Sequence, residues 1–355
     1  MIQFGFWVLL FPLGVLGSAE STVIAFVVYC LSLLKDRRIS YLDWLLAAMV
    51  LVFLYSWIAA SSYSKGFMFA QTGSYVGVLL VMRFLYVCRD QLWDFIHGLP
   101  VWCYVFLCVI YLLVQVPVGY TYEVGVLEAF MLIKSCTSSR GSARVLALLL
   151  AYLLLMFLIS TRTTPLVVAM IIAAVWLIKC PLVLAKYTYI GFLVMSPIYG
   201  FIMYHWDVEL DVSGIDDNAA IRLEMIKGAT SLIGLKEFIF GVGFGVPFRN
   251  VDYDYAFIHP LLNRMDNVMQ TSNHNSMFDI FLRFGVLIYV LFSVVFLRAL
   301  KLDRIKSYRN YSILFVTLYS LSVNAYMDSS RLAPSCAALL IGVLLLTSRR
   351  FDKVG

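Results

Sequence analysis

Three side chains in this sequence are of types that together can transfer a group away from a diphosphate: the imidazole of His274 and the guanidinium groups of Arg162 and Arg222. A neutral imidazole can take a proton from a sugar hydroxyl, so His274 is suited to act as a general base. A guanidinium offers a planar fork of N–H donors that matches phosphate oxygens, and its attraction for them grows near a low-dielectric boundary. One base and two such forks on one face suit glycosyl transfer from a diphosphate-linked donor. Each residue also has a plainer alternative. His274 can bond a loop carbonyl, Arg162 can snorkel to lipid headgroups, and Arg222 can pair with Glu224 or Asp217 on a helix surface. The other histidines, His97, His205 and His259, have weaker surroundings and read as structural.

The neighbours of His274 supply possible support. Asn275 follows it, and Asp279 and Arg283 stand four residues apart on the next helix, where they are expected to pair and to orient the imidazole. Thr271, Ser272 or Asn273 is expected to cap that helix. Gly241, Gly243 and Gly245 lack the Lys and Ser/Thr of a phosphate-binding loop and open no βαβ unit, so they read as a tight turn at the membrane surface. The acids form no D-x-D or comparable cluster. Nothing in the pattern calls for a metal or any other cofactor.

The elements that must position these residues are apolar helices. Of 355 residues, 62% are hydrophobic and 14% charged, against about 25% charged in soluble domains. A water-soluble enzyme is excluded, because so few charges cannot cover a core of this size. The net charge of +6 does not point to nucleic acid, since the basic residues lie between apolar runs. The seven cysteines fall in or beside those runs and suggest neither a disulfide framework nor a zinc site. The first seventeen residues are apolar with no basic n-region, and read as a retained span.

The expected fold is therefore all-α and polytopic, a single integral membrane domain over 1–355 with about twelve transmembrane helices, ten at the least. The runs are 2–17, 21–34, 42–61, 67–87, 99–117, 121–134, 145–161, 164–179, 187–205, 277–297, 311–328 and 333–347. The first, second and sixth are short, and Glu20, Glu123 and Glu128 mark segments that can be tilted or re-entrant. With both chain ends inside, 17 of the 27 Lys and Arg residues fall on the cytoplasmic side, which sets the orientation. Arg83 and Arg283 then lie within spans, Arg83 facing a polar cavity or snorkelling. Residues 206–276 form one long outward loop between the ninth and tenth helices, with ten acids against five bases. Long ordered loops commonly carry function. Within it, Asp216 or Asp217 can cap a helix over 218–233 whose Ala219, Ile221, Leu223, Ile226, Ala229 and Ile233 form one buried face.

Taken together, three segments carry a resemblance: Asp217 to Ala229, Glu237 to Gly245, and His274-Asn-Ser-Met-Phe-Asp-Ile-Phe-Leu-Arg-Phe-Gly285, preceded by Ser160-Thr-Arg-Thr163. Their order and spacing resemble the shared region of the O-antigen polymerase and O-antigen ligase superfamily over about residues 145–300. The family pattern after the His usually ends Gly-x-x-Gly, whereas Gly285 is followed here by Val-Leu-Ile288. The resemblance implies an inner-membrane, metal-independent glycosyltransferase of the C-type fold, acting at the periplasmic face on undecaprenyl-diphosphate-linked glycans. It implies His274 as the catalytic base and Arg162 and Arg222 as the diphosphate-binding residues. The acceptor is a lipid-linked repeat unit for a polymerase, the preferred reading, or lipid A-core for a ligase. Partners then include membrane lipids and a chain-length regulator. A lipid-linked oligosaccharide transporter or flippase is a third reading, since Glu20, Arg83, Asp279 and Arg283 could line a path, but the long loop has no counterpart in the first half of the chain.

Overall fold

The computed structural model describes residues 2–10, 18–59, 65–118, 124–137, 141–160, 163–179, 181–205, 226, 228–246, 248–249, 269–270, 275–300, 307–323 and 333–345. Each of the twelve apolar runs contains a described helix, as its composition dictates: α1 (Ile2–Leu10), α2 (Ser18–Lys35), α3 (Tyr41–Ala59), α4 (Lys65–Val87), α6 (Val101–Val118), α7 (Val126–Ser135), α8 (Ser142–Ser160), α9 (Thr163–Ile178), α10 (Leu182–His205), α12 (Ser276–Leu300), α13 (Tyr308–Val323) and α14 (Ala333–Leu345). Two short helices complete the described set, α5 (Arg89–Gly98) and α11 (Leu235–Phe240). Apart from a two-residue antiparallel pair, β1 (Phe248–Arg249) with β2 (Met269–Gln270), regular structure among the described residues is helical. Within α8 and α12 lie segments long and apolar enough to cross a membrane unaided, Ser142–Ile159 and Ser276–Val294.

The centre of the bundle is built on α4 and α7. Helix α4 packs against α2, α3 and α14, and all ten residues of α7 are buried against α8, α13 and α14. The outer helices turn apolar side chains such as Trp44, Leu51 and Ile58 of α3, Leu158 of α8 and Leu177 of α9 outward. A wall of exposed aliphatic and aromatic residues is the surface a membrane protein presents to lipid.

Arg83 neither lines a cavity nor snorkels. It is 1% exposed, and each of its three guanidinium nitrogens has a hydrogen-bond partner. Its Nε lies 2.6 Å from Asp43 Oδ1, one terminal nitrogen donates to Ser32 Oγ at 2.5 Å, and the other to the carbonyls of Asp36 and Arg38 at 3.1 and 3.3 Å. The Tyr29 ring stands 5.3 Å from the guanidinium carbon. Asp43 is shared: its second oxygen accepts from Ser40 N–H and Oγ at 2.7 and 2.8 Å, tying the residue before α3 to the first turn of that helix. The cluster thus staples the turn between α2 and α3 to α4, and burial is tolerable because charge and donors are both satisfied.

Helix α5 is a further element. Arg89, Asp90 and Asp94 interrupt the apolar pattern there, while Leu92, Trp93 and Ile96 are buried. The chain bends 93° between α5 and α6. Lys134 of α7 is buried and donates to the carbonyls of Leu99 and His97, closing the C-terminal end of α5.

Candidate functional site

The motif residues converge, so far as they are described, on α12. The helix starts at Ser276, and its cap is Asn275: the Phe278 N–H donates to Asn275 Oδ1 at 3.0 Å, and the Asp279 N–H to the Asn275 carbonyl at 2.9 Å. Sequence reasoning placed the cap at Thr271, Ser272 or Asn273. The structure moves it to the second residue of the His-Asn pair, whose amide oxygen satisfies an N–H that the first turn leaves without a helical partner. Asp279 is buried in that turn, where the positive end of the helix favours a carboxylate.

Ten residues on, α12 breaks. Gly285 has φ 72° and ψ 176°, a combination reserved in practice for glycine, and a Cβ there would collide with the carbonyl of Ile239. The collision identifies what fills the break, namely the end of α11 and the glycine turn after it. In an unbroken helix the Leu282 and Arg283 carbonyls would accept from Val286 and Leu287. Here they accept from Val242 N–H at 2.8 Å and Gly243 N–H at 3.1 Å. Arg283 returns the contact, its Nη1 donating to the carbonyls of Gly243 and Val246 at 3.2 and 3.0 Å while the side chain is 1% exposed.

The glycine segment is therefore not a surface turn. Gly241, Gly243, Phe244 and Gly245 are buried, and the Phe244 N–H donates to Ser56 Oγ of α3 at 2.8 Å. The Phe244 ring packs 5.4 Å from Tyr75 of α4 and 5.4 Å from Phe284, and Tyr75 meets Phe284 edge-on at 5.6 Å. The turn thus joins the motif helix to the N-terminal bundle, 188 residues away in the chain.

A second break faces the first. Pro197 lies inside α10 and has no N–H to give the carbonyl of Leu193. Tyr289 of α12 supplies the missing donor, its hydroxyl 2.7 Å from that carbonyl. One residue before the proline, Ser196 Oγ donates to Asn275 Oδ1 at 3.4 Å. The capping amide beside His274 is therefore held from α10 as well as from its own helix. Ser196, Tyr289, Ser56 and Tyr75 were not singled out from sequence; a proline inside an apolar run was the one available signal, for α10.

His274, Arg162 and Arg222 lie outside the described residues. What is described are their neighbours: α8 ending at Ser160 and α9 starting at Thr163 on either side of Arg162, and Asn275 after His274. Of the helix expected over 218–233, residues 226 and 228–233 are described: 226 and 228–230 are helical, with Ile226 and Ala229 buried as the predicted face requires, but the chain turns at 231–232, so the helix ends at Thr230 and Ile233 is only partly buried. Outside the apolar crossings, His97 of α5 donates from Nδ1 to the Trp93 carbonyl at 2.8 Å, and its Nε2 lies 3.0 Å from Thr137 Oγ1. Burial pushes its imidazole below the ordinary range, the Trp93 bond partly offsets this, and the nearby Lys134 ammonium adds to the lowering.

A helical membrane protein whose long apolar helix is capped by the Asn of a His-Asn pair and broken around a glycine turn is the class defined so far. The family follows from comparison: residues 136–293 match the family model described as O-antigen ligase, a stretch running from the end of α7 to within α12 beyond its break. That segment belongs to the superfamily of O-antigen ligases and polymerases. No curated protein matches the chain.

Proposed function

We propose that the chain is a glycosyltransferase of the outer face of the bacterial inner membrane, with about twelve crossings of C-type architecture and the loop 206–276 on the periplasmic side. It moves a growing undecaprenyl-diphosphate-linked glycan onto a lipid-linked repeat unit. The acceptor hydroxyl gives its proton to His274 and attacks the anomeric carbon, whose bond to the diphosphate breaks as Arg162 and Arg222 take up the leaving charge. Asn275 fixes the backbone next to His274, and Asp279 and Arg283 hold the helix that carries it. The reaction uses no metal, since the guanidinium groups supply the positive charge.

The observation that carries this reading is the family match across residues 136–293, which spans every motif segment named above. The described geometry agrees with it: the residue after His274 is immobilised by two independent hydrogen bonds, the kind of support a base needs to meet its substrate repeatedly in one orientation. The description of the matching family, O-antigen ligase, favours a second reading, transfer of the finished polymer to lipid A-core by the same donor chemistry. A glycan profile of cells with and without the gene separates them. Loss of a polymerase leaves a single repeat unit on the core, and loss of a ligase leaves long polymer on the undecaprenyl carrier. An unchanged profile rejects both.

A further inference from the structure

Helix α12 changes character at its break. From Ser276 to Gly285 every residue is buried, whereas beyond the break Leu287, Val290, Leu291 and Val294 are exposed, Leu287 by 59%. The second half thus has the open apolar face of a lipid-contacting helix, and the first half has none. Part of what covers the first half is α11, which packs along it with Phe238 edge-on to Phe281 at 5.7 Å and the Ile239 carbonyl against Gly285.

The exposed surface of α11 is largely apolar. Of its four exposed residues three are apolar, Leu235 (81% exposed), Phe240 (61%) and Phe238, and the fourth is Lys236, whose long stem lets its ammonium reach the headgroups. This surface lies next to the break in α12, because Phe240 immediately precedes the glycine turn that abuts Arg283 and Gly285. Nine residues of helix separate Ser276 from the break, about 13 Å of rise, which is a substantial part of a hydrocarbon core roughly 30 Å thick. Non-helical backbone is tolerated at such depth only where protein satisfies it. The turn meets that condition: Gly241 N–H donates to the Glu237 carbonyl, Val242 and Gly243 N–H to α12, and Phe244 N–H to Ser56, while Arg283 takes the carbonyls of Gly243 and Val246.

We propose that α11 and the glycine turn form a re-entrant element seated within the outer half of the bilayer, with Leu235, Phe238 and Phe240 against the lipid acyl chains. The element replaces, on the lipid-facing wall, the surface of α12 that it covers. The loop between α10 and α12 therefore leaves the membrane, returns to it over residues 235–246, and leaves again. The inference depends on the membrane character of the chain and not on which group it transfers.

Nitroxide labels at Leu235→Cys and Phe240→Cys test it, with Leu287→Cys as the lipid-facing reference, in the full chain freed of its seven native cysteines and reconstituted in phospholipid vesicles. Collision with dissolved oxygen is expected to exceed collision with a water-soluble nickel chelate at all three positions. Nickel dominance at 235 and 240 with lipid-like behaviour at 287 overturns the proposal, and so does protection from both reagents, which would mean that protein covers the face. A second measurement needs no substitution: a phospholipid carrying a photoactivatable diazirine in its acyl chain, irradiated with the unaltered protein, is expected to label the peptide holding Leu235–Phe240. Label on residues 287–294 without label on 235–240 overturns it.

Discussion

Gly285 shows how much one backbone position can control. Its φ of 72° with ψ of 176° has no counterpart in an L side chain at ordinary cost, and the Ile239 carbonyl occupies the space of a Cβ. Gly285→Ala is expected to cost at least about 2 kcal/mol, the scale of a forced backbone outlier, and to loosen the half-helix that starts at the His-Asn pair. Denaturant unfolding in detergent checks the stability loss, and a wild-type midpoint contradicts it. His97 gives a pH dependence. Its folded-state value lies below the ordinary 6.5 because burial disfavours the charged ring. The folded state therefore favours the neutral form, in which Nδ1–H donates to the Trp93 carbonyl and Nε2 lies beside Thr137 Oγ1. A depressed histidine means the unfolded chain binds the proton more readily, so its contribution is complete above 6.5 and shrinks as the pH falls through that value. Thermal midpoints in detergent are expected to drop more steeply on acidification for the wild type than for His97→Gln. Parallel curves would remove this role for His97.

The element scale is set by matched breaks. Pro197 frees the carbonyl of Leu193, and Tyr289 takes it; the two residues stand on different helices and answer one another. Tyr289→Phe is expected to cost about 1–2 kcal/mol by leaving a buried carbonyl bare. In a Pro197→Ala background α10 regains an N–H for that carbonyl, so the same change is expected to cost less. A double-mutant cycle measures the difference, and strict additivity would contradict the coupling. This scale also shows what the sequence could and could not reveal. The twelve apolar runs announce their helices because backbone in a membrane must pair within its own segment, and hydropathy records that constraint directly. Contacts between distant segments leave no such trace. Arg83 depends on Asp43 forty residues earlier, and the glycine turn depends on Ser56 and Gly285, so local spacing leaves the first between a cavity residue and a snorkelling one and reads the second as a surface turn. Asn275 was legible as a member of the motif, but its capping role waited on knowing where α12 begins. Helix α5 leaves a weaker trace in the sequence: Leu92, Trp93 and Ile96 share one face, but Arg89, Asp90 and Asp94 break the apolar run that marks the longer helices.

In the whole molecule an N-terminal bundle stapled by Arg83 and Asp43 meets the segment that matches the family, residues 136–293, which is anchored to that bundle through Ser56, Tyr75 and Phe244. The proposed chemistry requires Arg162 and Arg222, far apart in sequence, to meet one leaving group beside His274. Arg162→Ala and Arg222→Ala are each expected to reduce transfer by at least about 100-fold, the scale of losing one preorganised stabilising group, with normal membrane insertion. Wild-type turnover in either variant removes that residue from the diphosphate site.

The central claim is that His274 activates the acceptor, and single-turnover elongation by purified protein tests it most directly. Wild-type protein and His274→Ala, matched for folding by their unfolding midpoints, are given the same lipid-diphosphate-linked glycan in detergent. The account predicts longer chains and released undecaprenyl diphosphate from the wild type, and intact substrate from the variant. Elongation by His274→Ala at the wild-type rate, or movement of the substrate across a vesicle membrane with no new glycosidic bond, would contradict it.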